Sequence, residues 1–401
     1  MFIPTEDQIR SFRLHSHHLD REYGEESIPE VAGACGLQNS PPGAWEAAVH
    51  CRVPGCGREE LSCLLEEKKE LLQAWSLRGA PFVFPTAERE IFLNALIPAE
   101  GEEWIYTRGI GLALDALEMS EEELLERLLR VIPRLNGRVI QGKNELDQTL
   151  AEWMERELPE EKREAWNRPS MYGSPDRQTV GEAAVSFLLR PCSFLGQVAF
   201  GKRQGVSPSF AGTAAWLDGR MEKEIPRQAD PAAARLLVRK FLRCYGPAVP
   251  DHFAAWLGCS GKQARRMWAL AAEEMEPVSV LGKKEFILTE DREVLAARPD
   301  FSRGPLLLSA HDPYLDQRER HFLQKNPALC RRIWKTTANP GVVVNEGRAA
   351  GIWTARKKKE KLEVEITLWE PAGEERRLRE LAEEYGAFRK LELTGITVRR
   401  E

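Results

Sequence analysis

Residues 230–290 carry the pattern that most limits how this chain can fold. One amphipathic helical stretch ends at Gly246, a shorter one ends at Gly258, and a third follows a tight turn. Two short strand patterns come next, with Lys283 and Lys284 at the turn between them. Three helices followed by a hairpin is the order of a winged helix, in which the third helix enters the major groove of DNA and the hairpin forms the wing.

The same stretch is basic although the chain as a whole is acidic. Seven basic residues stand against one acidic residue, Asp251, between positions 235 and 266, whereas the formal net charge of the chain is −5. The predicted recognition helix carries Lys262, Arg265 and Arg266. A local basic surface of this kind is typical of phosphate contacts, and the alternative is an ordinary solvated helix face.

The two preceding segments repeat this plan. Residues 1–98 contain helical patterns and then two short strands around a turn at Arg78. Residues 99–228 contain helical patterns and then a hairpin whose predicted tip carries Lys202 and Arg203. We therefore predict an α+β chain built as a tandem array, with units at 1–98, 99–228 and 229–303 and a C-terminal α/β subdomain at 304–401.

Local signals predict where several elements begin and end. Thr5 is a predicted N-cap, and Ser27 and Ser120 each begin a capping box with a glutamate three residues later. Pro41 and Pro42 are expected in the first turn of a helix. Residues 160–178 are interpreted as a loop insertion.

The last hundred residues change character. Strand patterns alternate around turns at 345–347 and 356–361, and an amphipathic helix and a short strand end the chain. The charged run 356–361 reads as a solvated hairpin tip rather than a phosphate contact.

The cysteines and histidines indicate no metal site. The eight cysteines are scattered, which is typical of reduced thiols, and the group Cys51, Cys56 and Cys63 lacks the close pairs with which zinc sites usually begin. His15, His17 and His18 are expected on a solvated helix face. We therefore expect neither metal nor cofactor.

Hydropathy excludes a membrane protein. No segment approaches the roughly 20 apolar residues of a membrane span, and the first residues lack the apolar run of a signal peptide. We expect a cytoplasmic protein, associated with the nucleoid if it binds DNA.

Three polar residues separate two apolar segments in the sequence CGLQNSPPGAW at 35–45. Gln38, Asn39 and Ser40 could form a loop in which Ser40 caps the helix after Pro41. They could instead hold a water molecule or a ligand. The residues alone leave both interpretations open.

Five blocks in order along the chain resemble the bacterial AlkZ-type DNA glycosylases, which are winged-helix DNA-binding-domain proteins. The blocks are GLQNSPPGAWEAAVHCRV, AWSLRGAPFVF, KFLRCYGPAVPDHFAAWLG, LLSAHDPYLDQRER and VVVNEGRAAGIW. The resemblance implies three tandem winged helices in a C-shaped arrangement, with a C-terminal β-rich subdomain and a basic concave face for duplex DNA. It also implies excision of alkylated bases by hydrolysis of the N-glycosidic bond.

The chain differs from that family in two motifs, one of which carries the catalytic polar groups of the family. In the Q-x-Q motif the first glutamine is Gln38, but Ser40 takes the second place. In the R-G-T-x-H block Ala80 and Phe82 replace the threonine and histidine. A glutamine carbonyl oxygen can orient a water molecule but is a very poor proton acceptor. A site built on glutamine is therefore expected to act on a nucleobase that already carries a positive charge and leaves easily.

The resemblance therefore implies a monofunctional glycosylase for N3- or N7-alkylated purines, with bulky adducts and crosslinks as further substrates. Gln38 would position the water, and Ser40 would share that role or line the pocket. Asn39 would lie in the pocket, and Arg78 would approach a phosphate or anchor its turn. Double-stranded DNA is the expected partner, and a monomer the expected state.

Two other functions stay open. The chain could bind damaged DNA as a lesion sensor or regulator without hydrolysing the glycosidic bond. Its helical units could instead contact other proteins.

Overall fold

A computed structural model describes residues 1–172, 178–219 and 228–401, and within them the fold is a mixture of helices and mainly antiparallel sheets. The first segment forms α1 (Glu6–Ser16), α2 (Ile28–Cys35), β1 (Leu37–Gln38), α3 (Ala44–Arg52), α4 (Arg58–Ser62), β2 (Leu71–Trp75), β3 (Pro81–Pro85) and α5 (Arg89–Phe92). Its strands form one antiparallel sheet in the order β1-β3-β2. The predicted hairpin around Arg78 is confirmed.

One predicted capping box and one predicted helix start in this segment are wrong. Helix α2 begins directly after Ser27 as predicted, but the Ser27 side chain makes no capping hydrogen bond, because Ser27 ends a 3₁₀ turn and has helical backbone angles rather than the extended ones of an N-cap. Pro41 does not begin a helix, since α3 starts after Gly43, whose φ is +92°. The capping box at Thr5 is confirmed.

The second segment forms α6 (Gly111–Leu117), α7 (Glu121–Val131), β4 (Ile140–Gln141), α8 (Lys143–Glu155), α9 (Glu160–Trp166), α10 (Val180–Phe194), β5 (Val198–Gln204), β6 (Ser207–Gly212) and α11 (Thr213–Trp216). The capping box at Ser120 is confirmed. The predicted loop insertion contains α9, which is ordered because Trp166 is buried beneath α10; positions 173–177 lie outside the described residues. Lys202 and Arg203 lie on β5 and not at the hairpin tip, where Gly205 has the positive φ that the turn requires.

The third segment forms α12 (Pro231–Tyr245), α13 (Pro250–Leu257), α14 (Gly261–Ala269), β7 (Met275–Val280), β8 (Lys283–Leu288) and α15 (Arg292–Ala296). Gly246 and Gly258 end their helices as predicted. Lys283 and Lys284 begin β8 rather than form the turn, because Leu281 and Gly282 both have positive φ and make it instead.

The last segment forms β9 (Leu306–Leu308), α16 (Pro327–Ile333), β10 (Gly341–Asn345), β11 (Arg348–Lys358), β12 (Lys361–Leu368), α17 (Glu375–Phe388) and β13 (Glu392–Arg400). These strands make a five-stranded sheet in the order β13-β12-β11-β10-β9. Only β12 and β13 pair in parallel, which is possible because α17 carries the chain back between them. Among the described residues, no helix is both long and apolar enough to span a membrane.

One apolar cluster joins the first three segments. Phe82 and Phe92 of the first segment pack with Phe194 of α10 and with Phe241 and Trp256 of the third segment. Helix α1 also packs against α12 and α15. The hairpin of the first segment is therefore held against the third segment, and that contact positions the site described next.

Candidate functional site

The polar segment at 38–40 lies at the edge of a sheet. Gly36 ends α2 with φ +74° and ψ 151°, a conformation that β-carbon-bearing residues rarely adopt. The chain then enters β1, where Leu37 pairs with Val83 and Gln38 pairs with Phe82. Because successive side chains alternate in a strand, Leu37 is buried while Gln38 is half-buried and faces a cavity.

This cavity has a volume of about 260 Å³ and lies between the first, third and last segments. Its wall consists of Cys35, Gly36, Gln38, Arg78, Phe82, Tyr245, Trp256, His311, Asp312, Pro313, Leu315, Asp316, Ile333, Trp334, Asn339 and Pro340. Apolar and aromatic surface with a few polar groups is typical of a ligand site.

Arg78 connects the polar groups of this cavity. Its guanidinium donates to Oε1 of Gln38 at 3.3 Å and forms an ion pair with Asp316 at 2.8 Å. It also donates to the backbone carbonyl of Trp256 and lies 5.7 Å from the ring centroid of Phe82. An amide and a carboxylate are thereby held beside one another on the same guanidinium.

The backbone around Arg78 permits this arrangement. Arg78 has φ +55° and Gly79 has φ +68° at the hairpin tip. Gly258 lies against Arg78, since a β-carbon at position 258 would come within 3.0 Å of the Arg78 Cα. The glycine that ends α13 therefore also allows the hairpin tip at Arg78 to pack closely against the end of that helix.

Asn39 and Ser40 point away from the cavity. Asn39 is buried, its amide donates to Oε1 of Gln73 at 3.0 Å, and its own oxygen accepts from the backbone N–H of Gly43 at 2.8 Å. Ser40 is exposed and is not part of the cavity wall, although its backbone carbonyl accepts a hydrogen bond from Nε2 of Gln38 at 3.2 Å. Of the three polar residues, only Gln38 faces the cavity.

The sequence reasoning missed the acidic and imidazole groups that the last segment contributes. Asp316 and His311 are remote from Gln38 in sequence, and no spacing near position 38 indicates them. Partial burial lowers the pKa of His311, so the neutral imidazole is favoured there. The block SAHDPYLDQRER, with its cluster of titratable residues after a strand, is the signal that could have pointed to them.

Asp312, next to His311 in the sequence, has a structural role because its carboxylate is paired with a buried arginine. It is buried and accepts two hydrogen bonds from the equally buried Arg52, at 2.8 and 3.0 Å. It also accepts from the backbone N–H of Tyr314. This pair attaches the wall of the cavity to α3.

Most of the predicted basic surface is neutralised by acids from elsewhere in the chain. Five of the seven basic residues between 235 and 266 form ion pairs: Arg235, Arg239, Lys240, Arg243 and Arg266. Their partners are Glu88, Glu102, Glu274, Glu290 and Asp291, all outside that stretch. Counting charge within one stretch of sequence therefore overestimated its local field.

The remaining predicted phosphate contacts are more accessible. Arg265 on α14 is exposed and forms no ion pair within the described parts of the chain. Lys262 is exposed and donates to the carbonyl of Gly101 at 2.9 Å. Lys283 and Lys284 are exposed on β8.

Lys202 and Arg203 lie apart from these residues, on β5. Lys202 is exposed with Glu66 at 3.6 Å, and the backbone N–H of the half-buried Arg203 donates to the same glutamate. The structure therefore brings Gln38 and Arg78 together and distributes the predicted phosphate contacts over two separate hairpins and α14.

Three residues in the described part of the chain could hold a metal ion. They are His17, Cys35 and Cys244, all buried, and Cys35 also contributes to the cavity wall. The prediction that His17 and His18 lie on a solvated face is wrong, because α12 and the last segment cover that end of α1. His15 is the one of the three histidines that is well exposed, beside Asp20.

Comparisons with known proteins give consistent results. A family profile described as "DNA glycosylase AlkZ-like" matches residues 31–391. A curated relative from Streptomyces sahachiroi, an interstrand DNA cross-link repair glycosylase, is 24% identical over 361 residues, covering 86% of this chain and 86% of that protein. The solved structure of Streptomyces sahachiroi DNA glycosylase AlkZ is similar with a TM-score of 0.76 at 21% identity, covering 100% of both chains, so the two share a fold.

Proposed function

Because the chain belongs to the AlkZ-like DNA glycosylase family, we propose that it excises cationic alkylated purines from duplex DNA. Alkylation at N3 or N7 gives the purine a positive charge, so the base leaves as a neutral molecule without first being protonated. The protein then needs to hold a water beneath the anomeric carbon and to stabilise the oxocarbenium-like sugar. Bulky adducts and interstrand crosslinks are included as substrates because the relative is named for crosslink repair.

The observation that carries this proposal is the contact of Gln38 and Asp316 with the same Arg78 guanidinium at the cavity. Gln38 accepts a hydrogen bond from the attacking water through its amide oxygen. Asp316 stabilises the positive charge that develops on the sugar and takes the proton of the water as its oxygen bonds to the anomeric carbon. The electron pair of the broken glycosidic bond neutralises the departing base.

Asp316 fills the place in this mechanism that the family gives to the second glutamine. Ser40 stands at that sequence position, but its hydroxyl is exposed and outside the cavity wall. A role for Ser40 in catalysis stays a prediction that needs an intervening water.

We also propose that the protein acts as a monomer whose three units, at 1–98, 99–228 and 229–303, are winged helices arranged in a C around the duplex. The repeated order of helices and a hairpin supports this proposal. Arg265, Lys262 and Lys284 would contact phosphates on one side.

The test uses duplexes that carry N7-alkylguanine or N3-alkyladenine, with released base and alkali-labile sites as readouts. We expect wild-type protein to form abasic sites. We expect Gln38→Ala to lower the rate by about 10²- to 10³-fold, the range associated with loss of one positioned polar group at an active site. Gln148→Ala, a change at an exposed glutamine on α8, is the control and keeps full activity. Absence of any base release by the wild type excludes the proposed reaction.

A second candidate function is binding of damaged duplex DNA without base excision. It is favoured because the polar groups at the cavity already have hydrogen-bond partners within the protein. Gln38 already accepts from Arg78, and Phe82 gives the cavity an apolar wall where the family has a histidine. A protein that binds damaged duplex without cutting it would show salt-dependent binding, no base release and no effect of Gln38→Ala.

A further inference from the structure

Three helices end at one buried point beside the cavity. His17 follows α1, Cys35 is the last residue of α2, and Cys244 is the penultimate residue of α12. Their side chains are each at most 2% exposed. A ring nitrogen of His17 and the Sγ atoms of the two cysteines all lie within 4.8 Å of one another.

We propose that His17, Cys35 and Cys244 bind a Zn²⁺ ion. Two thiolates and an imidazole are ligands that soft and borderline cations such as Zn²⁺ prefer over Mg²⁺ or Ca²⁺. No spacing rule for zinc motifs detects this group, since its members come from three distant parts of the sequence.

The distances suit a tetrahedral ion. With Zn–S near 2.3 Å and Zn–N near 2.0 Å, neighbouring ligand atoms of such a site are about 3.5 to 3.8 Å apart. The Sγ of Cys35 and the Nδ1 of His17 are 3.9 Å apart. Small side-chain rotations are therefore enough to close the site.

The charges suit a buried ion as well. A Zn²⁺ ion with two thiolates and a neutral imidazole has no net charge, so its burial carries a small desolvation penalty. The nearby Arg52 is already paired with Asp312 at 2.8 Å and does not repel the ion.

Both thiols must lose a proton to bind the ion. The Cys244 thiol lies 3.7 and 3.4 Å from the backbone carbonyl oxygens of Ser16 and Ala34, which accept hydrogen bonds from its S–H when no ion is bound. Two protons leave to solvent when the ion binds.

The fourth position of the ion would face the cavity side, because Cys35 and Tyr245 both border the cavity and the Tyr245 hydroxyl lies 3.7 Å from the Cys35 sulfur. A water can therefore complete the coordination. The ion would fix the end of α2, from which Gly36 and Gln38 continue, to α1 and α12.

The experiment uses the full-length protein, purified under reducing conditions, loaded with Zn²⁺ and freed of loosely bound metal. Elemental analysis should give one zinc per chain for the wild type and for Cys192→Ser, which removes a buried thiol from α10. Cys35→Ser and Cys244→Ser should lose this zinc. Circular dichroism checks that each variant is folded.

Cobalt provides a measurement that needs no variant. Wild-type protein loaded with Co²⁺ should show a thiolate-to-cobalt charge-transfer band and the visible spectrum of a tetrahedral site. The proposal is overturned if reduced wild type binds no stoichiometric zinc and shows no such band, or if the Cys35→Ser, Cys244→Ser double variant retains both. A Cys35–Cys244 disulfide in protein purified without oxidant also overturns it. None of these readouts involves DNA, so they are independent of the proposed base excision.

Discussion

Arg78 and Asp316 form an ion pair at 2.8 Å between the hairpin of the first segment and the loop after β9 of the last. The same guanidinium reaches Gln38, so a single side chain orients an amide and a carboxylate that are remote in sequence. About a quarter of the Arg78 side chain and a third of the Asp316 side chain are exposed, which leaves both within reach of a substrate. The pair therefore combines a positioning role with access to the cavity.

Asp316→Asn tests whether the carboxylate contributes to base excision. The amide keeps the shape of the side chain but loses the charge that stabilises an oxocarbenium ion and accepts a proton, so we expect a loss of about 10²-fold in kcat. Duplex binding should be unchanged. Asp115→Asn, at an exposed position on α6, serves as the control. Full activity of Asp316→Asn would remove the carboxylate from the mechanism.

Arg265→Ala tests which cations of α14 contact DNA. Arg265 is exposed without an ion pair in the described residues, so its loss should weaken binding and lower the slope of log Kd against log salt by about 1. Arg266→Ala should mainly lower Tm, because it leaves the buried carboxylate of Glu102 unpaired. Arg376→Ala, on the distant helix α17, is the control for both readouts. Equal salt slopes for Arg265→Ala and wild type would place Arg265 outside the interface.

Glu285→Gln should change how stability depends on pH. Glu285 is buried on β8, and burial followed by the charge of Glu319 raises its pKa to about 8. In the unfolded chain the pKa returns to the ordinary value near 4.5, so between these two pH values the folded state binds more protons than the unfolded state. The free energy of unfolding of the wild type should therefore fall as pH rises through this window, by up to a few kcal/mol.

The glutamine variant lacks this titrating group, so thermal unfolding at pH 5 to 8 should show its Tm rising relative to the wild type as pH increases. Glu293→Gln, an exposed change on α15, should follow the wild type. A constant difference in Tm between Glu285→Gln and wild type over this range would contradict the raised pKa.

Gly36→Ala tests the turn that delivers Gln38 to the cavity. Its φ of +74° is strained for alanine, and the added β-carbon would lie 3.0 Å from Phe82 and 3.2 Å from Phe92. Backbone strain and overpacking together should cost about 2 to 4 kcal/mol, measured by chemical denaturation. Gly205→Ala separates the two causes, because φ is +60° there but no atom lies within 4 Å of the new carbon. Equal losses in the two variants would show that the contacts with Phe82 and Phe92 add nothing.

The helix boundaries of the third segment show how much local sequence can determine. Gly246 ends α12 and Gly258 ends α13, as predicted from short-range signals. Errors arose where neighbouring residues competed for the same turn. Lys283 and Lys284 were expected to form a turn that Leu281 and Gly282 make, because positive φ decides the turn and charge does not.

The candidate site was predictable only in part. The polar segment and its resemblance to a known motif identified Gln38 and Arg78, and both border the cavity. The motif predicts the second polar group at Ser40, two residues away along the chain. The fold supplies Asp316 instead, since the last segment closes over the end of β1.

Sequence by itself determined what depends on neighbours along the chain: caps, turns, the alternation of strands and the repeated order of helices and hairpins. Only tertiary structure decided which charges stay free, which carboxylate shares the Arg78 guanidinium with Gln38 and which thiols lie beside His17. The physical reason is range. A capping hydrogen bond joins residues a few positions apart, whereas ion pairs and ligand sets form between side chains that only the packed core brings within a few ångströms.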